Sequence, residues 1–135
     1  MITYQIENDL SPEEFRAVLI SSTLGERRPV DDPDRIKKMV ELGNLIVTAR
    51  DNGKLIGVSR SLTDFAFCTY LSDLAVDKAY QKMGIGKELI RKTKEETPQA
   101  KLILLAAPVA IGYYPRIGMK KWEHCYYIDD TKEIL

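Results

Sequence analysis

The sequence predicts an α/β protein in which one mixed β-sheet is flanked by helices. Three observations predict it. A short alternating strand is followed by two helices with cap-then-proline starts. An Asp51-Asn52-Gly53 turn ties two apolar runs into an antiparallel hairpin. A further strand ending at Val76 leads through a glycine-bearing loop into a helix and then another apolar run, the order that makes two strands parallel neighbours. At 135 residues the length fits one domain, 1–135, with one core. A composition of 44% apolar and 30% charged residues is that of an ordinary folded chain. Twenty basic and twenty acidic side chains cancel, which argues against nucleic acid or an anionic membrane surface as a partner.

Taken in order, Ile2-Thr3-Tyr4-Gln5-Ile6 alternates apolar and polar side chains as a half-buried strand does. Ser11-Pro12-Glu13-Glu14 reads as a capping box opening a helix, with Phe15, Val18 and Leu19 on its inner face and Ser22 at the margin. Leu24 to Val30, with Gly25, Pro29 and adjacent Arg27 and Arg28, reads as a loop. Asp32-Pro33 opens a second helix that presents Ile36, Met39 and Val40 and ends near Gly43. Leu45–Arg50 and Lys54–Arg60 are the hairpin strands. Phe65 to Val76 is a third strand, long enough to require a bulge or bend. A helix from Gly84 or Ile85 to about Glu96 stops at Thr97-Pro98. Lys101 to Ala106 contains the unbroken run Leu102-Ile103-Leu104-Leu105, expected of a strand covered on both faces. Pro108 to about Arg116 reads as a short helix, and Gly118 to Tyr127 as one or two antiparallel strands. Cys68 and Cys125 form no metal-binding pair with the single histidine, His124, and are expected as buried thiols. With no basic n-region ahead of an apolar segment and no run of about 20 apolar residues, a soluble, cytoplasmic protein is expected.

The chemistry concentrates between Leu74 and Lys87. Two glycines one residue apart at a helix start weaken the helix, so something must approach the backbone closely there. The first amides of a helix lack partners and lie at the positive end of its dipole, where an anion is the natural occupant. The letters exclude an ATPase phosphate loop, which needs Gly-Lys-Ser/Thr, and the dinucleotide fingerprint, which needs a third glycine where Gln81 stands. Gln81-Lys82-Met83-Gly84-Ile85-Gly86 resembles the Arg/Gln-x-x-Gly-x-Gly/Ala signature of the GNAT N-acetyltransferase superfamily, with Leu74-Ala75-Val76 upstream and a helix downstream. Ala110 to Met119 similarly resembles the family's Ala-x-x-x-Tyr-x-Lys/Arg-x-Gly-Phe segment.

The resemblance implies the GNAT fold, ordered β-α-α-β-β-β-α-β-α-β with an optional last strand, its sheet splayed between the fourth and fifth strands. It implies acetyl-CoA as cosubstrate, without a metal. It also implies that the Leu74-Ala75-Val76 stretch faces the pantetheine arm, Leu74 and Val76 through main-chain groups. The pyrophosphate would rest on the amides of Gln81, Lys82, Met83, Gly84, Ile85, Gly86 and Lys87, with Lys82 and Lys87 adding charge. It places Tyr114 beside the CoA sulfur, where a phenol with an ordinary pKa near 10 has a proton to give a departing thiolate. Two departures stand out: Ala107 replaces an asparagine that often touches the pantetheine, and Met119 replaces the usual phenylalanine.

A base for the attacking amine is sought among Tyr70, Ser72, Asp73, Glu123 and His124, with Asp73 the candidate; bonding to nearby backbone is its plainer role. Arg27, Arg28, Arg60 and Tyr70 are candidates to line the acceptor side, where paired arginines suit an anionic acceptor. The expected reaction is direct attack by a primary amine, a small molecule for preference, in a ternary complex. No covalent acyl-enzyme is legible. The alternatives are a non-catalytic acyl-CoA sensor on the same fold and an interaction domain whose glycines merely turn the chain. A homodimer through the C-terminal strands is a further expectation.

Overall fold

The computed structural model describes residues 1–135 and divides into two compact units, 1–105 and 106–135. The first contains strands β1 (Ile2–Ile6), β2 (Leu45–Asp51), β3 (Lys54–Thr63), β4 (Cys68–Val76) and β5 (Lys101–Ile103), and helices α1 (Pro12–Ser21), α2 (Pro33–Leu42) and α3 (Ile85–Glu96). The sheet order is β1-β2-β3-β4-β5, antiparallel except for the parallel β4–β5 pair.

The helix starts follow from local chemistry. The Ser11 hydroxyl accepts the Glu14 amide at 3.1 Å, and Asp32 Oδ1 accepts the Arg35 amide at 3.2 Å. The other half of the expected capping box is diverted, because the Glu14 carboxylate takes Arg50 instead. Phe15, Val18 and Leu19 of α1 and Ile36 and Val40 of α2 pack with Ile46 and Val58 on one face of the sheet. Ile85 and Leu89 of α3 pack with Leu45, Val47, Ala49 and Ile56 on the other. The sheet is thus covered on both faces, and α3 lies against the strands its loop comes from.

Two strand boundaries differ from expectation for one reason. β3 runs three residues further, to Thr63, and β4 begins only at Cys68, because Asp64 builds a tight turn between them. Its Oδ1 accepts the amides of Ala66, Phe67 and Cys68, while Phe65 takes a left-handed φ of 60°. The three donors hold the Asp64 carboxyl at about 2. The bulge expected in β4 is present: Arg60 pairs with Asp73 but Ser61 with Leu71, so Ser72 is the extra residue.

β5 is shorter than expected, only Lys101–Ile103, and forms the sheet edge; Ile103 and Leu105 are 38% and 58% exposed. An apolar run is covered on both faces only if neighbours cover it, and no strand follows to do so.

A partly buried ion pair ties the end of β1 to β2. Arg50 donates to Glu7 at 2.8 and 3.0 Å, and the Thr48 hydroxyl donates to the same carboxylate. The Arg50 hydrogen bonds hold Glu7 at about 2, below its ordinary 4.5. The unfolded chain therefore binds this proton first, so the pair's stabilisation is complete above about pH 4.5 and is lost as pH falls towards 2. Glu7→Gln should accordingly flatten the acid limb of stability, read as a smaller loss in urea midpoint between pH 6 and pH 3 than the wild type shows.

The second unit contains a 3-10 turn at Pro108–Ala110, helix α4 (Tyr113–Arg116) and a 3-10 turn at Thr131–Glu133. The helix expected over Pro108 to Arg116 is therefore broken around Gly112. Gly118, at φ +98°, closes α4: its amide bonds Pro115 O at 3.1 Å and the Met119 amide bonds Tyr114 O at 3.0 Å. The strands expected over Gly118–Tyr127 do not form, and side chains from Lys120 onwards are exposed. Alternating aromatics suit a strand but cannot make one without a ladder partner. Cys68 and Cys125 are both exposed rather than buried, and His124 is exposed. No helix is long and apolar enough to cross a membrane.

Candidate functional site

The sheet opens along β4. β5 pairs with β4 only at Cys68, Thr69 and Tyr70, so that rim has no strand partner from Leu71 to Val76. The Asp77 amide donates to Ile56 O at 2.8 Å, which fixes the phase of the β3–β4 ladder. In an antiparallel ladder alternate residues turn both backbone groups towards the partner. Ala75 therefore faces β3, opposite Val58, while Leu74 and Val76 direct theirs to the open rim. This corrects one expected contact: Ala75 offers no backbone group there, and its side chain is buried in the core with α1 and α2. Val76 is half committed, since the Gln81 side-chain amide already donates to its carbonyl at 3.0 Å.

Beyond Val76 the chain makes a 3-10 turn, Lys78–Tyr80, and enters the glycine loop. The Tyr80 hydroxyl donates to Asp51 Oδ2 at 2.7 Å, pinning the start of the loop to the β2–β3 turn. Nothing in the letters signalled that pin. The Gln81 amide turns back to Lys78 O at 3.5 Å, so Gln81 contributes through its side chain instead. Lys82 and Gly84 both take left-handed φ, 66° and 82°. A Cβ on Gly84 would meet nothing within 4 Å, so the glycine is required by backbone conformation and not by crowding within the protein.

From Lys82 to Lys87 no protein group accepts the main-chain amides, and Gly84, as N-cap of α3, supplies no side-chain cap. Buried Ile85 anchors the helix start, whereas Lys82, Met83 and Lys87 are exposed. These free donors at the positive end of a three-turn helix fit the diphosphate of coenzyme A. The outward groups of Leu74 and Val76 fit its amide-bearing arm.

Asp73 does not stand where a base must. Its side chain is 0% exposed and its two oxygens are occupied, Oδ1 by Arg28 Nε and Oδ2 by Arg60 Nε, the latter at 2.5 Å. Arg60 also donates to Met39 O at 3.1 Å and Ser72 Oγ at 3.1 Å; Arg28 donates to Ser72 O at 2.8 Å and Arg27 O at 2.9 Å. The network clips the α1–α2 connection to the β4 bulge. Asp73 is thereby a structural anchor and has no face open to an amine.

Tyr114 lies in α4, half-buried, its ring edge-on to Tyr113 at 5.3 Å and 77°. Burial, with a smaller contribution from Tyr113, raises its pKa, so the phenol keeps its proton throughout the neutral range. A shallow hollow of about 440 Å³ is lined by residues that include Leu42, Leu62, Asp64, Cys68 and Tyr70, of which only Tyr70 is a candidate site residue.

An anion grip at a helix start beside a half-open strand defines a protein able to seat an extended ligand with a phosphate end. The chain belongs to the acetyltransferase (GNAT) family, whose model matches residues 4–119. It is 35% identical over 102 residues to the beta-lysine N(6)-acetyltransferase of Methanococcus maripaludis, covering 73% of this chain and 36% of that protein. It is 28% identical over 81 residues to an uncharacterized N-acetyltransferase of Pyropia yezoensis, covering 58% of this chain and 47% of that protein. The chain thus spans about a third to a half of the length of these curated relatives. Among solved structures, a GNAT family acetyltransferase from Streptococcus pneumoniae superposes with TM-score 0.78 at 19% identity, covering 96% and 98% of the two chains. An aminoglycoside acetyltransferase from a soil metagenome superposes at 0.65 with 23% identity, covering 96% of each. At those identities the likeness is one of fold.

The Gln81–Val76 bond yields a prediction. Gln81→Leu should weaken coenzyme A binding about 2- to 10-fold, the worth of one neutral hydrogen bond, by loosening the strand's exit into the loop. Calorimetry would read this as a raised Kd, with kcat at saturating acetyl-CoA close to wild type.

Proposed function

We propose that this protein transfers the acetyl group of acetyl-CoA to the primary amine of a small molecule by direct attack in a ternary complex. The observation that carries the reading is the row of unaccepted amides from Lys82 to Lys87 beside the bare rim of β4. Acetyl-CoA, when bound, supplies an acyl group already activated as a thioester. The loop amides hold its diphosphate, and Leu74 and Val76 align its arm as an added strand would lie. Catalysis rests on positioning, which converts an encounter into an effectively unimolecular step. The resemblance of segment 110–119 to the family's motif, not a placement of that segment, gives Tyr114 the role of proton donor to the sulfur that departs as nitrogen bonds the acyl carbon; the amine's own proton passes to solvent. With Asp73 enclosed by arginines, no carboxylate is assigned as base, and an acceptor amine that sheds its proton to solvent before attack meets the requirement. The beta-lysine acetyltransferase relative supports an amine acceptor of small size.

The test is titration calorimetry with coenzyme A, followed by thiol release over a panel of amines. Wild type should bind, and Gly84→Val, a branched residue at φ +82°, should lose most of that binding. Absence of any binding by wild type would overturn the reading. Binding without turnover on every amine would replace it with an acyl-CoA sensor.

A further inference from the structure

We infer that the acceptor carries a carboxylate and that Arg28 recognises it. This rests on the acetyl-transfer reading and adds the substrate class. The Arg28–Asp73–Arg60 network sets two guanidinium cations against one carboxylate, and its other members, Arg27 O, Ser72 O, Ser72 Oγ and Met39 O, are neutral acceptors. One positive charge is left over. It cannot be lost to titration, because a guanidinium is always charged.

The surplus falls on Arg28. The Arg60 side chain is 8% exposed, whereas that of Arg28 is 22% exposed. Arg28 uses Nε and one hydrogen of each terminal nitrogen, so two of its five N–H donors remain, one on each terminal nitrogen. An added carboxylate can accept from the hydrogen left on either terminal nitrogen. The guanidinium is already held by Asp73 and by the Ser72 carbonyl, so a ligand meets donors whose ordering cost is largely met.

The position is that of an acceptor group and not of the coenzyme's phosphates. Ser72 is the bulge residue two positions before Leu74, on the half of β4 that pairs with β3 but not with β5. About 13 Å of strand separates it from Val76, where the glycine loop begins. An anion on Arg28 therefore sits at the far end of the open rim from the diphosphate grip. A single surplus charge matches a carboxylate; a phosphate dianion would call for a second free cation in the network.

The experiment compares matched amines that differ only in a carboxylate: L-lysine against 1,5-diaminopentane, L-ornithine against 1,4-diaminobutane, and β-alanine against ethylamine. Each is assayed by coenzyme A release with wild type, Arg28→Met and Arg28→Lys. In wild type the best acceptor should be a carboxylate-bearing member, preferred over its partner by about 10- to 100-fold in kcat/KM, the worth of a charged hydrogen-bonded pair. Arg28→Met should bring that ratio to about one, and Arg28→Lys, which keeps charge but not the fork, should leave it between. A ratio taken within one variant is unaffected by partial unfolding. Equal use of both members by wild type, or a ratio unchanged in Arg28→Met, would overturn the inference. So would no turnover of any carboxylate-bearing member by protein that binds acetyl-CoA, while protein that fails to bind it would instead overturn the proposed function.

Discussion

Tyr114→Phe is expected to lower kcat by about 10- to 100-fold while leaving the acetyl-CoA dissociation constant within about twofold of wild type. A thiol with an ordinary pKa near 8.5 is a fair leaving group even as its anion, so a proton donor contributes at or below the low end of general acid catalysis. The two halves of the expectation come from different groups, since binding is assigned to main-chain amides and the proton to one phenol. Burial raises the Tyr114 pKa above its ordinary 10, so the donor form persists across the neutral range and the tyrosine should impose no fall in kcat below about pH 10. Stopped-flow or steady-state rates, with calorimetry alongside, measure both. Full turnover in the phenylalanine variant would remove Tyr114 from the reaction.

Asp73→Ala is expected to cost about 3–5 kcal/mol of stability, the usual result of stripping the counter-charge from buried cations. The size follows from burial: Asp73 is wholly enclosed, and the buried guanidinium of Arg60 is left with only the neutral acceptors Met39 O and Ser72 Oγ. Thermal unfolding should fall by about 10 °C or more. Removing the stranded cation as well, in Asp73→Ala with Arg60→Met, should restore part of the loss, because a well-packed apolar replacement often matches a buried ion pair. Asp73→Asn, which keeps the shape, is the control for chemistry. If it folds with wild-type stability yet loses turnover, Asp73 returns as the base; if stability and turnover fall together, it is an anchor.

Local chemistry made much of this fold legible. Ser11 and Asp32 announce their helices because capping involves only neighbours in sequence, and Asn52-Gly53 announces its hairpin likewise. The turn into α3 at Gly84 was legible because left-handed backbone favours glycine, and Gly84 takes φ 82°. What escaped depended on distant partners. The Asp64 turn has no glycine and is held by one carboxylate reaching three amides ahead. Asp73 looked available because nothing in the string brings Arg28 and Arg60 to it; that takes a loop and a bulged register. The apolar run after Lys101 and the aromatics after Gly118 carry strand composition, but a strand exists only where another offers a ladder. The turning of Ala75 towards β3 is a matter of ladder phase, which composition does not encode.

The Ser72 bulge with its enclosed Asp73 has one more effect. A bare length of β-strand invites a second protein strand, the route by which sheets join end to end. A kink in the rim and a charge turned inward beside it are both features that deny a rigid strand the even spacing it needs. A thin, flexible ligand with few amides needs no such spacing, so this irregularity disfavours an added protein strand more than it would disfavour such a ligand.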